Sequence, residues 1–153
     1  MPYSTIDSVS QKINQTTLIQ LLNDEIRADD EIDLTDPNDP IVVRFAQAAD
    51  EAQQEIDPSL RFRYSLPFAT VPGIITNLSD NFTIYHIYLR RNREKMPDSI
   101  MSVRKEGLAT LDSISKGLID LGIVLEPQTI SNELRTNKTE KDRIFSKEIW
   151  KKF

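Results

Sequence analysis

The sequence predicts an all-α fold: a small helical bundle of about five helices, three of them long, with an extended C-terminal tail. Three observations carry this. Apolar residues recur at helical spacing over three stretches, and each stretch opens on proline turn chemistry near positions 36–40, 71–72 and 96–98. The connections between stretches are short, as in helix bundles. A chain of 153 residues with a 39% hydrophobic fraction can build one core while leaving part of itself outside it. The expected division is a helical body over 1–122 and a docking tail over 123–153.

Each element has its own justification. Ser4, three residues ahead of Asp7, can cap a short helix running through Val9 to Ile13. Thr16 or Thr17 opens a second one carrying Leu18, Ile19, Leu21 and Leu22. The run Asp36-Pro37-Asn38-Asp39-Pro40 ends in an aspartate cap and a proline at the first helical position, where its missing N–H is of no consequence. From there Ile41, Val42, Phe45, Ala48, Ala49, Ala52 and Ile56 form one stripe opposite Arg44, Gln47, Asp50, Glu51, Gln54 and Glu55. This predicts a helix over 40–57 that Pro58 ends.

Segment 58–71 reads as a connector packed by its own aromatic side chains, and Pro72 begins the next helix. Ile74, Ile75, Leu78, Phe82, Tyr85 and Leu89 share one face, with Ile84, Ile87 and Tyr88 on a second, so this helix belongs at the centre. The β-rich run 82–88 could be a buried strand. No proline or glycine interrupts 74–95, however, which favours helix. After Met96-Pro97-Asp98, the positions Ile100, Val103, Gly107, Leu111, Ile114 and Leu118, widened by Leu108, predict a third long helix stopping at Gly117. Gly107 within it either costs about 1 kcal/mol relative to alanine or marks close packing.

The net charge of −5 is unevenly spread. Residues 135–153 hold seven bases against three acids, while the remainder holds 12 bases against 21 acids. A body this acidic argues against nucleic acid as the main ligand. Acids concentrate over 24–39, where Asp24, Glu25, Asp29, Asp30, Glu31, Asp33, Asp36 and Asp39 face only Arg27. Read as a calcium loop from Asp29, this stretch has Leu34 at the turn glycine and Pro40 at the bidentate glutamate. A solvated acidic loop is the expectation, with weak cation binding or an interaction surface as alternatives.

Reactive constellations are scarce. There is no cysteine, and His86 is the one imidazole, set mid-helix among Tyr85, Ile87 and Tyr88 and read as structural. Four scattered glycines cannot make a phosphate loop. The expectation is therefore no enzyme, with no catalytic, cofactor-binding or metal residues and no cofactor. The chain has no apolar run long enough to span a membrane and no secretory pattern at its start, so a soluble protein without a membrane partner is expected. Arg90, Arg91, Arg93 and Lys95, with Arg104 and Lys105, form a basic cluster at a helix end, either a solvated terminus or a nucleic-acid surface. The terminal segment places Arg143, Ile144, Phe145, Ile149, Trp150 and Phe153 on a polar tail. It reads as a docking element, or as a last strand or helix folding back on its own body.

Glu55-Ile56-Asp57, Leu60, Arg63-Tyr64-Ser65-Leu66-Pro67 and Val71-Pro72, then Tyr85 to Arg91 and Gly117-Leu118-Ile119-Asp120-Leu121, together form a pattern. It resembles a family of small phage proteins of Mu-like phages and prophages, the head-to-tail joining or connector adaptor proteins. The resemblance covers most of the chain, and its motif residues here are Ile56, Asp57, Leu60, Arg63, Tyr64, Leu66, Pro67 and Pro72. It implies an all-helical virion subunit assembled in the host cytoplasm. That subunit would form a homo-oligomeric ring in the neck, between the portal protein and an adjacent neck or tail-completion protein. Genomic DNA would pass through the lumen without sequence-specific contact. The proline-rich acidic loop and the length of chain beyond Gly122 depart from the family pattern. Two other readings stay open: a small helical DNA-binding regulator using Arg90 to Lys105, and a tail-side stopper or terminator ring protein.

Overall fold

The structure, a computed structural model, describes residues 2–28, 31–92 and 94–123. Among these residues there are five α-helices: α1 Ile6–Ser10, α2 Gln15–Leu22, α3 Pro40–Leu60, α4 Gly73–Arg91 and α5 Asp98–Ser115. The expected all-α bundle with three long helices is what the described residues form. No described helix is long and apolar enough to cross a membrane.

The three long helices run up, down and up. Ile56 and Leu60 of α3, Ile75, Leu78 and Phe82 of α4, and Leu111 and Ile114 of α5 share one buried cluster with Tyr3 and Tyr64. At the other end Ile41, Phe45 and Ala49 of α3 meet Ile84 and Ile87 of α4, roofed by Val9, Leu18 and Leu22 from α1 and α2. Helix α4 touches all four other helices, as its two apolar faces require. The 82–88 run is thus helical: its β-branched residues are buried on both sides of a central helix rather than paired in a sheet.

Local signals set most boundaries, with several corrections. Asp39 caps α3 as expected, its side chain accepting from the Ile41 N–H at 2.8 Å with Pro40 next. Helix α3 does not stop at 57, however, but carries Pro58 inside it and ends at Leu60. Pro58 deletes the bond that Gln54 would receive. The fully buried Leu60 offsets that loss, at roughly 1.5–3 kcal/mol for such a side chain. Thr5, not Ser4, caps α1, in a reciprocal box with Ser8, and α1 ends at Ser10. Ser4 is instead buried against α4, donating to Ser79 Oγ at 2.6 Å. Asn14 rather than a threonine caps α2, accepting from Thr16 N–H at 2.9 Å.

Helix α5 has a narrower buried stripe than its sequence suggests. Gly107, Leu111 and Ile114 face the core, whereas Leu108 and Val103 are exposed and Leu118 is 77% exposed. Gly107 lies so close to Phe82 that an added Cβ would sit 2.7 Å from its ring, so the glycine marks close packing. Leu118 leaves the stripe because the helix ends first. Gly117, at φ 77°, donates to Ile114 O at 3.0 Å and Leu118 N–H donates to Ser113 O at 2.9 Å, a Schellman closure.

Candidate functional site

The motif residues converge on one end of the bundle, around the α3–α4 connection. Ile56 and Leu60 are fully buried there. Asp57, one position off that stripe, accepts the Tyr3 hydroxyl at 2.6 Å and the Gln53 amide at 3.4 Å. Burial above all, then the Asp57 bond and charge, pushes the Tyr3 phenol well above its usual range. Tyr64 is buried, its ring set edge-on to Phe68 and its hydroxyl accepting the Leu121 N–H at 3.3 Å. Tyr3 also meets Phe68, at 5.9 Å between ring centroids. Leu66 and Phe68 pack on the same cluster, the Leu66-Pro67 bond is cis, and Pro72 occupies the cap position of α4.

Arg63 lies flush against Gly117. A methyl on that glycine would fall 1.6 Å from its Nη1, so the absence of a side chain at 117 is what admits the guanidinium. The motif thus ties three chain segments together: the N-terminal segment at Tyr3, the connector, and the turn after α5. Around its solvent side lies an open cleft of about 650 Å³ lined by Gln53, Asp57, Arg61 to Pro67, with Phe62 77% exposed at its lip.

The basic cluster is largely committed inside the molecule. Arg90 forks onto Asp24, at 2.6 and 2.9 Å, and donates to Leu21 O at 2.9 Å. Arg91 donates to Gln20 O at 2.7 Å and lies 3.5 Å from Asp24. Arg104 makes a bidentate pair with Glu55, at 3.0 and 2.6 Å, while its guanidinium stacks 3.9 Å from the Tyr85 ring centroid. Lys95 and Lys105 are exposed, and Arg93 lies outside the described residues.

The acidic loop is solvent-exposed at Asp24, Glu25, Glu31, Asp33 and Asp36, as expected, but part of its charge is paired. Its acids do not face Arg27 alone, because α3 and α4 supply Arg44, Arg90 and Arg91 from far along the chain. Arg44 pairs with Glu25 and, at 3.4 Å, with Asp24, and donates to Leu22 O at 2.8 Å. The Arg44 hydrogen bond holds the Glu25 carboxyl down at about 2, and the Arg90 bond lowers Asp24. Asp39, held below the usual carboxylate range first by Arg27, combines the α3 cap with that 2.6 Å ion pair. Asp33 is lowered by its bond from the Thr35 hydroxyl. Asp29 and Asp30 lie outside the described residues. Among the described residues no cluster of three metal-ligating side chains forms.

His86 sits between two carboxylates of α3, Nδ1 3.2 Å from Glu51 and Nε2 3.4 Å from Glu55. It is a junction in the α3–α4–α5 interface, with the Tyr85 ring edge-on to it at 5.6 Å between centroids. A second polar seam joins α1 to α4. Ser8 donates to Asp80 at 2.7 Å, and Lys12, which burial pushes below the usual lysine range, lies 3.7 Å from the same carboxylate. Neither seam was legible as such in the sequence, since its partners lie dozens of positions apart with no spacing rule to pair them. The tail residues Arg143, Ile144, Phe145, Ile149, Trp150 and Phe153 lie outside the described residues.

Two comparisons bear on this arrangement. A sequence-family model described as Bacteriophage Mu, Gp36 matches residues 3–138. That span takes in every motif residue and all five helices, and stops short of Arg143 to Phe153. No curated protein matches the chain.

Proposed function

The chain belongs to the family described as Bacteriophage Mu, Gp36, the head-to-tail joining proteins, and from that premise we propose that it works as an adaptor ring in the phage neck. It is a structural connector protein of a phage. In our reading the helical body, residues 1–122, makes the ring. The extended segment 123–153 docks on the portal or on an adjacent copy, and the distal face receives the next neck or tail-completion protein. Subunits would assemble in the host cytoplasm and remain in the virion neck.

The observation that carries this reading over a DNA-binding regulator is the internal commitment of the arginines. A regulator needs cations free to displace counterions from phosphate. Here Arg90 and Arg91 are held by Asp24 and neighbouring carbonyls, and Arg104 by Glu55. The body around them carries an excess of acids, which would repel a passing duplex and let it slide through a lumen without sequence-specific contact.

Filter binding of duplex DNA at low and at physiological salt tests the choice. The adaptor reading expects negligible retention at both, whereas tight binding with a steep salt slope would install the regulator instead. Deleting residues 135–153 tests the tail. The body should stay folded while joining of heads to tails fails; normal infectious particles from the truncation would refute the docking role.

A further inference from the structure

Resting on the ring reading, we infer that neighbouring copies join head to tail through two opposite ends of α3, the cationic cleft of one copy taking the acidic loop of the next. The cleft is the one lined by Arg61 to Pro67, and the loop is residues 31–36.

The two surfaces are complementary in charge. Seven of the described bases, Lys12, Arg27, Arg44, Arg90, Arg91, Arg104 and Lys116, pair with acids inside the copy. The other four, Arg61, Arg63, Lys95 and Lys105, pair with no acid among the described residues, and of these Arg61 and Arg63 line the same cleft. The cleft's one acid, Asp57, already holds Tyr3 and Gln53. On the loop side Asp24, Glu25 and Asp39 are neutralised by Arg44, Arg90 and Arg27. Glu31, Asp33 and Asp36 remain exposed, with no ion pair among the described residues.

Each surface also carries an exposed apolar group. Phe62 lies between the two arginines at 77% exposure, and Ile26, at 85%, belongs to the acidic stretch 24–39 ahead of the loop. Ile26 is held at φ 54°, a left-handed conformation that a β-branched residue adopts only under constraint. Apolar centres ringed by complementary charge are the usual anatomy of a specific interface.

These surfaces cannot satisfy each other within one copy. Asp39 and Arg61 flank a single 21-residue helix, which sets them about 30 Å apart, several screening lengths at physiological salt. They can meet only between copies. Because the two faces differ, the contact is heterologous and repeats from copy to copy until it closes, which is the contact a ring is made of. Charge complementarity with residues 31–36 makes a second copy the occupant of the cleft.

The test uses the full chain and analytical ultracentrifugation over a concentration series. Arg61→Glu/Arg63→Glu and, separately, Glu31→Lys/Asp36→Lys should each weaken self-association at least about tenfold, since each sets like charges face to face. Mixing the two variants in equal amounts should restore it, because every alternating contact is then complementary. Arg61→Glu alone is run alongside, as Arg63 also packs on Gly117. Ile26→Asn should weaken association while raising the thermal midpoint by relieving the strained backbone. Four outcomes overturn the inference. If both variants associate as the parent does, other faces make the contact and the ring reading stands. If the loop variant alone dissociates, or the mixture stays apart, the loop meets some other surface. A parent chain monomeric throughout removes the ring reading as well.

Discussion

At the residue scale, close packing and buried hydroxyls decide what a substitution costs. Gly107→Ala improves intrinsic helix propensity by about 1 kcal/mol. Yet its Cβ would meet the fully buried Phe82 ring at 2.7 Å and Leu78 at 3.4 Å. Overpacking of that kind typically costs about 1–3 kcal/mol, so the variant should be less stable than the parent in urea denaturation. A rise in stability would show that α5 can lift from α4 at no cost. Ser4 is bonded to Ser79 at 2.6 Å and accepts from Thr83 at 3.3 Å, all three buried. Ser4→Ala therefore strands two hydroxyls and should cost roughly 1–3 kcal/mol, whereas Ser102→Ala on the exposed face of α5 should be near neutral.

At the element scale, Asp39 is the residue on which the start of α3 depends, because one carboxylate caps the helix and anchors Arg27. Asp39→Ala should destabilise the fold by about 1–3 kcal/mol, and Asp39→Asn by less, since the amide still caps but loses the ion pair. Chemical denaturation of the two variants checks the order, and equal losses would mean that the cap contributes nothing. The same loop gives a pH dependence. Asp24, Glu25, Asp33 and Asp39 all titrate below their ordinary values when folded. A depressed carboxylate adds stability above its unfolded pKa of about 4, and loses it as pH falls through the folded value. For Glu25 that value is about 2. Amides of residues 23–28 and 31–39 should thus lose hydrogen-exchange protection between about pH 4 and 2, ahead of α4. Simultaneous loss throughout the bundle would contradict this.

The helices themselves were legible because their signals are local. Stripe, cap and stop lie within a few turns, as at Asp39-Pro40 or Gly117. What the sequence hid is long-range: Arg104 finds Glu55 across 49 positions, and Arg90 finds Asp24 across 66. A basic cluster and an acidic loop read as two separate features until folding places them side by side. Pro58 and Ser4 misled for the related reason that tertiary burial, of Leu60 and of Ser4 itself, outweighed a local rule. Of the family motif, the spacing of Ile56 announced core, while Leu60 belongs to the predicted connector and is buried only because α3 runs on past Pro58. That Asp57 bonds Tyr3, and that Arg63 leans on Gly117, required the fold.

At the scale of the whole molecule, the bundle has two ends that differ in chemistry, in a family of head-to-tail joining proteins. Its polar side chains mostly hold helices and loops in place, as His86 does between Glu51 and Glu55, which suits a part that works by shape. His86→Ala should leave assembly nearly intact, whereas Trp150→Ala on the tail should impair it severely, a ranking that counts of joined particles can read directly. The most direct measurement is electron microscopy of purified particles with this subunit located relative to the portal. The account predicts a closed ring of copies seated beneath the portal, coaxial with the DNA channel. A single copy per particle, or none in the neck, would contradict it.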